Sequence, residues 1–199
     1  MKDYSTLNSC PITNSRTKIA YLDLGKLPLV NNLCPTKAQS LNPPTYPLRV
    51  NHYPESGLSA LDISINPKLL FTEYFFKSSI NIPYIEHCRQ MFHDLCHYIP
   101  PHNDMQIVDI GGNDGSLLKA FKSCTPKNLK LLNIDPCENL VSDNKKNNIE
   151  IKTAFFNKEV ASSLGKQADL IISTNVFQHL PDINSFIADF SIKWRRSIT

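Results

Sequence analysis

From residue 105 onward, short continuous apolar runs take turns with amphipathic stretches. "MQIVDI", "LKLLNI", "IEIKTAF" and "ADLIISTNVF" read as strands, because β-branched and leucine residues follow one another without a helical gap. "SLLKAFKSC", "ENLVSDNKK", "NKEVASSLG" and "INSFIADFSIKW" space their apolar residues three and four apart and read as helices. Strands that are apolar on both faces need cover on both sides, so this half predicts an α/β domain with about four parallel strands. Upstream, apolar residues recur at helical spacing through Leu69, Leu70, Phe71, Tyr74 and Phe75, then Ile85, Met91, Phe92 and Leu95. That predicts two helices broken near "SSINIP". "IPPHND" (99–104) reads as a linker, since proline lacks an N–H and disfavours helix in the residue before it. Residues 1 to about 60 are turn-rich, with "NPPTYP" (42–47) separating runs such as "IAYLDL", and predict a small irregular β module. The expected divisions are 1–62, 63–100 and 104–199.

Charge narrows the possible partners. A formal net charge of +3 with 20% charged residues leaves no large basic face to neutralise a row of phosphates, which argues against nucleic acid. The start, "MKDYSTLNSC", has no apolar core of a secretion signal, and no stretch approaches the roughly 18 apolar residues of a membrane span. A soluble, cytoplasmic chain without a membrane partner is expected. The six cysteines form no C-x-x-C pair and read as thiols rather than as a disulfide framework. In "HCRQMFHDLCH" (87–97), His93 and His97 share a helix face, but no third ligand stands at firm spacing, so no metal site is read there.

The chemistry concentrates in "VDIGGNDGSLLKAF" (108–121), where a glycine-rich turn joins the first parallel strand to its helix. Ligands of open α/β sheets bind outside the carboxyl ends of the strands, where strand order reverses, and this loop lines that crevice. Gly111 and Gly112 let the chain turn sharply and a ligand come close; Gly115 permits tight packing at the helix start. Asp135 ends the second strand in "LLNIDP", where a carboxylate can accept both hydroxyls of a ribose. The loop departs from G-x-G-x-x-G, with Asn113 at the second glycine, and Asp114 adds a negative charge. Both disfavour a pyrophosphate, and the Asp114 charge favours a cationic ligand such as S-adenosylmethionine, which has no phosphate. A tight turn with no ligand is the alternative.

"VDIGGNDGSLL", "NIDP" and "ADLIISTNVFQHLPDINSF", in that order, resemble the SAM-dependent sugar C-methyltransferases, whose N-terminal part is a small zinc-binding domain. "YLDLGKLPLVNNL" (21–33), "YPLRV" (46–50) and "LLFTEYFFKSS" (69–79) resemble the same family, so the likeness runs from about Cys10 to about Phe190. It implies a Rossmann-like class I methyltransferase sheet, S-adenosylmethionine as cofactor and methyl transfer to carbon of a nucleotide-linked keto-sugar. Two departures stand out. The family's two C-x-x-C zinc pairs fall here on "CPIT" (10–13) and "YPES" (53–56), which leaves Cys10, with His52 nearby, as an incomplete set and argues against zinc. The family also continues past this length, so the chain is expected to be truncated, with about four strands of the order 3-2-1-4-5-7-6. Its fourth strand would then have an unpaired edge open to self-association or a partner.

Methyl transfer beside a ketone needs a base for the α-proton. On the resemblance, His179 in "NVFQHLPD" is that base, and Tyr74 in "LFTEYFF" reaches the substrate pocket, where its hydroxyl could stabilise the oxygen. Either could instead serve only packing. Asp109, Gly111, Gly112, Asn113, Asp114, Gly115 and Asp135 are expected around the cofactor, with Asn175 and Val176 after the fourth strand and Phe155 after the third, flanking adenine. Two other readings stay open. One is a catalytically silent, SAM-binding remnant or binding module; the other is a nucleotide-dependent oxidoreductase.

Overall fold

The computed structural model describes residues 3–31, 33–164 and 168–191. The ends of the expected helices at Gly165 and beyond Ser191, including most of "SIKWRRSIT", lie outside the described residues. The chain forms two compact units, Met1–Thr72 with Pro181–Asn184, and Glu73–Leu180 with the residues from Ser185.

The first unit holds β1 (Tyr4–Thr6), β2 (Ile19–Pro28), α1 (Lys37–Leu41), β3 (Thr45–Tyr53), β4 (Leu58–Leu61), β5 (Ile63–Ile65) and α2 (Pro67–Phe71). β2, β3 and β4 form an antiparallel sheet in that order, and β1 pairs antiparallel with β5. Every residue of β2 is exposed, and the register slips twice along its pairing with β3. The buried apolar residues are few: Cys10, Tyr46, Tyr53 and Ile63.

The second unit contains α3 (Ile82–Cys96), β6 (Gln106–Ile110), α4 (Ser116–Ser123), β7 (Lys130–Ile134), α5 (Val141–Lys146), β8 (Glu150–Lys152), α6 (Lys158–Ser163) and β9 (Leu170–Ile172); α7 (Ile183–Ser191) follows. Its four strands lie in the order β8-β7-β6-β9, all parallel, as the alternating runs predict. The first strand in sequence, β6, is thus flanked by β7 on one side and β9 on the other, which puts the reversal of strand order at its carboxyl end.

Period-two alternation divides the two cores. Ile107 and Leu131 join Cys88, Phe92, Leu117, Leu118 and Phe121 under α3 and α4, whereas Val108, Ile110, Leu132 and Ile134 join Val160, Ala168 and Phe186 on the other face. Phe92 and Phe121 meet with ring centroids 5.0 Å apart, so α3 closes the same core as α4. Burying each ring contributes about 1.5–3 kcal/mol.

Three sequence expectations are adjusted. Helix does not continue through Tyr74 and Phe75: α2 stops at Phe71, and residues 74–77 run without regular structure. Their main-chain groups bond to side chains of the second unit instead of to one another. The Tyr74 N–H donates to Asn139 Oδ1 (3.2 Å), and Asn139 Nδ2 donates back to the Tyr74 carbonyl (3.0 Å). β8 and β9 are shorter than the runs "IEIKTAF" and "ADLIISTNVF". β7 ends at Ile134, opposite Lys152, so no strand among the described residues pairs with residues 153–156. Past Ile172, the Ser173 hydroxyl donates to the Ile110 carbonyl (3.3 Å) in place of a ladder bond. All six cysteines are free thiols, with Cys10, Cys88 and Cys137 buried.

Candidate active site

The loop after β6 turns through left-handed backbone at Gly111 (φ +72°), Asn113 (φ +53°) and Gly115 (φ +77°). Glycine adopts such angles without a Cβ penalty. Here the space that the glycines leave is filled by protein. A Cβ on Gly111 would collide with Val176 Cγ2; on Gly112 it would lie 2.5 Å from Asp109 Oδ2 and 2.7 Å from Asn133 Oδ1; on Gly115, 2.5 Å from Asn144 Oδ1. Gly115 caps α4, and the predicted tight packing at the helix start is packing against Asn144 and Ile149.

Two fully buried asparagines shape this loop from below, and sequence reading did not single them out. Asn133 Oδ1 accepts the Gly112 N–H (3.1 Å), while Asn133 Nδ2 donates to the Asn113 carbonyl (2.9 Å) and to Asn144 Oδ1 (3.0 Å). Asn144 Nδ2 donates to the carbonyls of Asn113 (3.0 Å) and Leu140 (3.1 Å). An amide inside the otherwise apolar run "LKLLNI" was the available signal, since a buried polar side chain needs partners.

Asp135 follows β7 and is 5% exposed. Its Oδ2 accepts the Asn113 N–H (2.9 Å) and its Oδ1 the Cys137 N–H (2.9 Å). These bonds fix the carboxylate while leaving each oxygen capacity for a second donor. The neighbouring Cys137 thiol is raised, chiefly by burial and then by the Asp135 charge.

Asp109, on β6, is 1% exposed, and both its carboxylate oxygens lack a hydrogen-bond partner among the described residues. Burial, and secondarily the charge of Asp135, push its carboxyl up to about 7. A buried charge without a partner is costly. Beside it stands Tyr84 on α3, another residue that sequence reading missed. Its hydroxyl lies 3.4 Å from Thr174 Oγ1, just past β9, and is pushed up to about 12, mainly by burial; the Thr174 bond lowers it, while Cys88 and Asp109 raise it.

Asp114 and Asn113 turn toward the segment Phe76–Ser79. Asp114 Oδ1 accepts the Ser116 N–H (3.2 Å) and hydroxyl (2.5 Å), and its Oδ2 accepts the Ser79 N–H (3.0 Å). Asn113 donates to the Phe76 carbonyl (3.0 Å) and accepts the Ser78 N–H (3.0 Å). Lys77 pairs with Asp143 on α5 at 2.7 Å. These side chains therefore strap residues 76–79 across the start of α4.

The remaining expected residues lie as follows. Asn175 (φ +58°) is exposed, and Val176 rests against Gly111. Phe155 lies past the end of β8 at 36% exposure, whereas its neighbour Phe156 packs on Phe186 and Phe190. His179 closes a 3-10 turn, Phe177–His179, its N–H donating to the Val176 carbonyl (2.9 Å), and desolvation lowers its pKa. Tyr74 is half-buried, its main chain tied to Asn139. Among the described residues, no group of three or more His, Cys, Asp or Glu could hold a metal ion, and no helix is long and apolar enough to cross a membrane.

No curated protein matches the sequence. Among solved structures, the plantazolicin methyltransferase BpumL, in complex with a pentazolic desmethylPZN analog and SAH, is similar at 16% identity over 59% of this chain and 46% of that chain, with a TM-score of 0.47. The magnesium protoporphyrin IX methyltransferase ChlM from Synechocystis PCC 6803, with bound SAM, is similar at 16% identity over 56% of each chain, TM-score 0.42. The YcgJ protein of Bacillus subtilis is similar at 15% identity over 56% of this chain and 47% of that one, TM-score 0.43. The matched region thus spans about half the length of these proteins. Residues 84–191, more than half of the chain, match the family described as a methyltransferase domain. Its members form the family to which this chain belongs.

Proposed function

We propose that the chain binds S-adenosylmethionine at the carboxyl ends of β6, β7 and β9 and transfers its methyl group to carbon of a nucleotide-linked keto-sugar. The carrying observation is the unpartnered, buried carboxylate of Asp109 beside the fixed carboxylate of Asp135. That pair of acceptors suits a ligand with both positive charge and a ribose, and is repulsive to a pyrophosphate. Asp135 would accept the ribose hydroxyls, Asp109 would balance the cationic end, and Tyr84 with Thr174 would border it. Asn175, Val176 and Phe155 would line the rest. When bound, S-adenosylmethionine supplies a methyl group on a sulfonium centre.

The residues of this chain do the remaining work. Partial desolvation holds the exposed His179 below the ordinary histidine pKa, which favours the neutral imidazole that can take a proton from carbon beside a ketone. The Tyr74 hydroxyl would donate to the ketone oxygen. Support for a keto-sugar comes from the resemblance at "YLDLGKLPLVNNL", "YPLRV" and "LLFTEYFFKSS". The same reading places the protein in the cytoplasm and gives the outer edge of β9, which pairs with no strand among the described residues, to a second copy or a partner.

Calorimetry with S-adenosylmethionine, then methyl-transfer assays on keto-sugar nucleotides with His179→Ala as control, test this reading. Binding without transfer would leave a SAM-binding module; tight NAD binding with no SAM binding would reverse the cofactor assignment.

A further inference from the structure

Outside the cofactor crevice, the first unit repeats one turn twice. Cys10-Pro11-Ile12-Thr13-Asn14 and Tyr53-Pro54-Glu55-Ser56-Gly57 each carry proline second and a left-handed fifth residue, Asn14 (φ +61°) and Gly57 (φ +69°). In each, the N–H of the fifth residue donates to the carbonyl of the first, at 3.0 Å and 2.9 Å. Three of the four side chains at the first and fourth positions meet. Cys10 Sγ lies 3.3 Å from Ser56 Oγ, and Thr13 bonds to the same sulfur. Burial pushes the Cys10 thiol up, but the bonds from Ser56 and Thr13 together outweigh it and hold the thiol at about 7. Tyr53 is wholly buried, interacts electrostatically with Cys10, and its hydroxyl has no hydrogen-bond partner among the described residues.

Two such turns, with Thr13 and Ser56 brought to the Cys10 sulfur and Tyr53 at the remaining first position, match the one-and-four spacing by which a tetrahedral zinc ion is held. The donors do not fit the metal. One thiol, two alcohols and a phenol replace the cysteines, histidines or carboxylates that zinc needs. His52 does not complete the set, because its Nδ1 hydrogen-bonds Ser59 across β3 and β4 (3.2 Å).

We infer that Cys10, Thr13, Tyr53 and Ser56 occupy the four ligand positions of a metal cage that this chain closes with hydrogen bonds to one sulfur, so that the module folds without zinc and needs only cysteines to regain it. The test uses the full chain. Wild type, purified from zinc-containing medium, is expected to carry no stoichiometric zinc, and chelator is expected to leave its unfolding midpoint unchanged. Cys10→Ala and Ser56→Ala are expected to lower that midpoint. The triple variant Thr13→Cys, Tyr53→Cys, Ser56→Cys is expected to bind one cobalt(II) with tetrahedral d–d and thiolate charge-transfer bands, and its midpoint to become chelator-sensitive. A control with the cysteines displaced (Ile12→Cys, Pro54→Cys, Glu55→Cys) should bind cobalt at least about tenfold more weakly, since ligand geometry sets metal affinity. Stoichiometric zinc in wild type overturns the inference. So does a triple variant that fails to fold with zinc present, or that binds cobalt no better than the displaced control.

Discussion

Asp109 sits where a carboxylate is least comfortable, and its cost can be measured. Its carboxyl titrates near 4 in an unfolded chain and is raised to about 7 in the fold. A raised carboxyl contributes most to stability when both states are protonated, and that contribution falls as pH climbs from about 4 to about 7. At pH 8 the full penalty applies. Asp109→Asn is therefore expected to raise the unfolding free energy at pH 8 by about 1–3 kcal/mol, each pKa unit being worth about 1.4 kcal/mol. The gain should disappear below about pH 4, and affinity for S-adenosylmethionine should fall; denaturant melts at the two pH values check the first part. For His179, desolvation lowers the pKa, so methyl transfer should fall only as pH drops below the ordinary histidine range. His179→Ala is expected to cut kcat by about 10²–10⁴ while leaving the dissociation constant of S-adenosylmethionine unchanged. The sharp turn at Gly111 and Gly115 was legible from the sequence because residue type suffices to single it out. Asn133, Asn144 and Tyr84 were not, because their roles rest on partners far away in sequence: Asn133 with Gly112, Asn144 with Asn113, Tyr84 with Thr174.

The elements show where pattern reading succeeds. β6 and β7 were fully legible, since each is apolar on both faces and pairs along its whole length. The segment "YFFKSS" was not. Its apolar residues fit helical spacing, but Asn139, Asn113 and Asp114 take up its main-chain groups, leaving 74–77 irregular and 78–80 a single 3-10 turn. Asn113→Ala removes two of those bonds, and amide exchange at residues 76–79 should quicken about tenfold or more, one hydrogen bond being worth about 1 kcal/mol. Gly115→Ala meets two penalties, a positive φ and the Asn144 amide that its Cβ would approach to 2.5 Å. A loss of about 1–3 kcal/mol is expected, read as a lower unfolding midpoint.

At the scale of the molecule, the sheet order β8-β7-β6-β9 decides the most, because it sets the crevice at the ends of β6, β7 and β9. This order followed from the alternation of runs together with the family resemblance, and the match over residues 84–191 takes in α3 as well as the strands. If the outer edge of β9 recruits a second copy, light scattering should give a mass that rises with concentration; a single monomeric mass throughout would remove that part of the proposal.

Calorimetric titration of the full chain with S-adenosylmethionine at pH 7 tests the cofactor crevice most directly. One saturable site per chain is predicted, with net proton release as Asp109 ionises, and with binding abolished in Asp135→Ala and weakened in Asp109→Asn. Absence of a binding heat, or an affinity indifferent to both substitutions, would contradict the account.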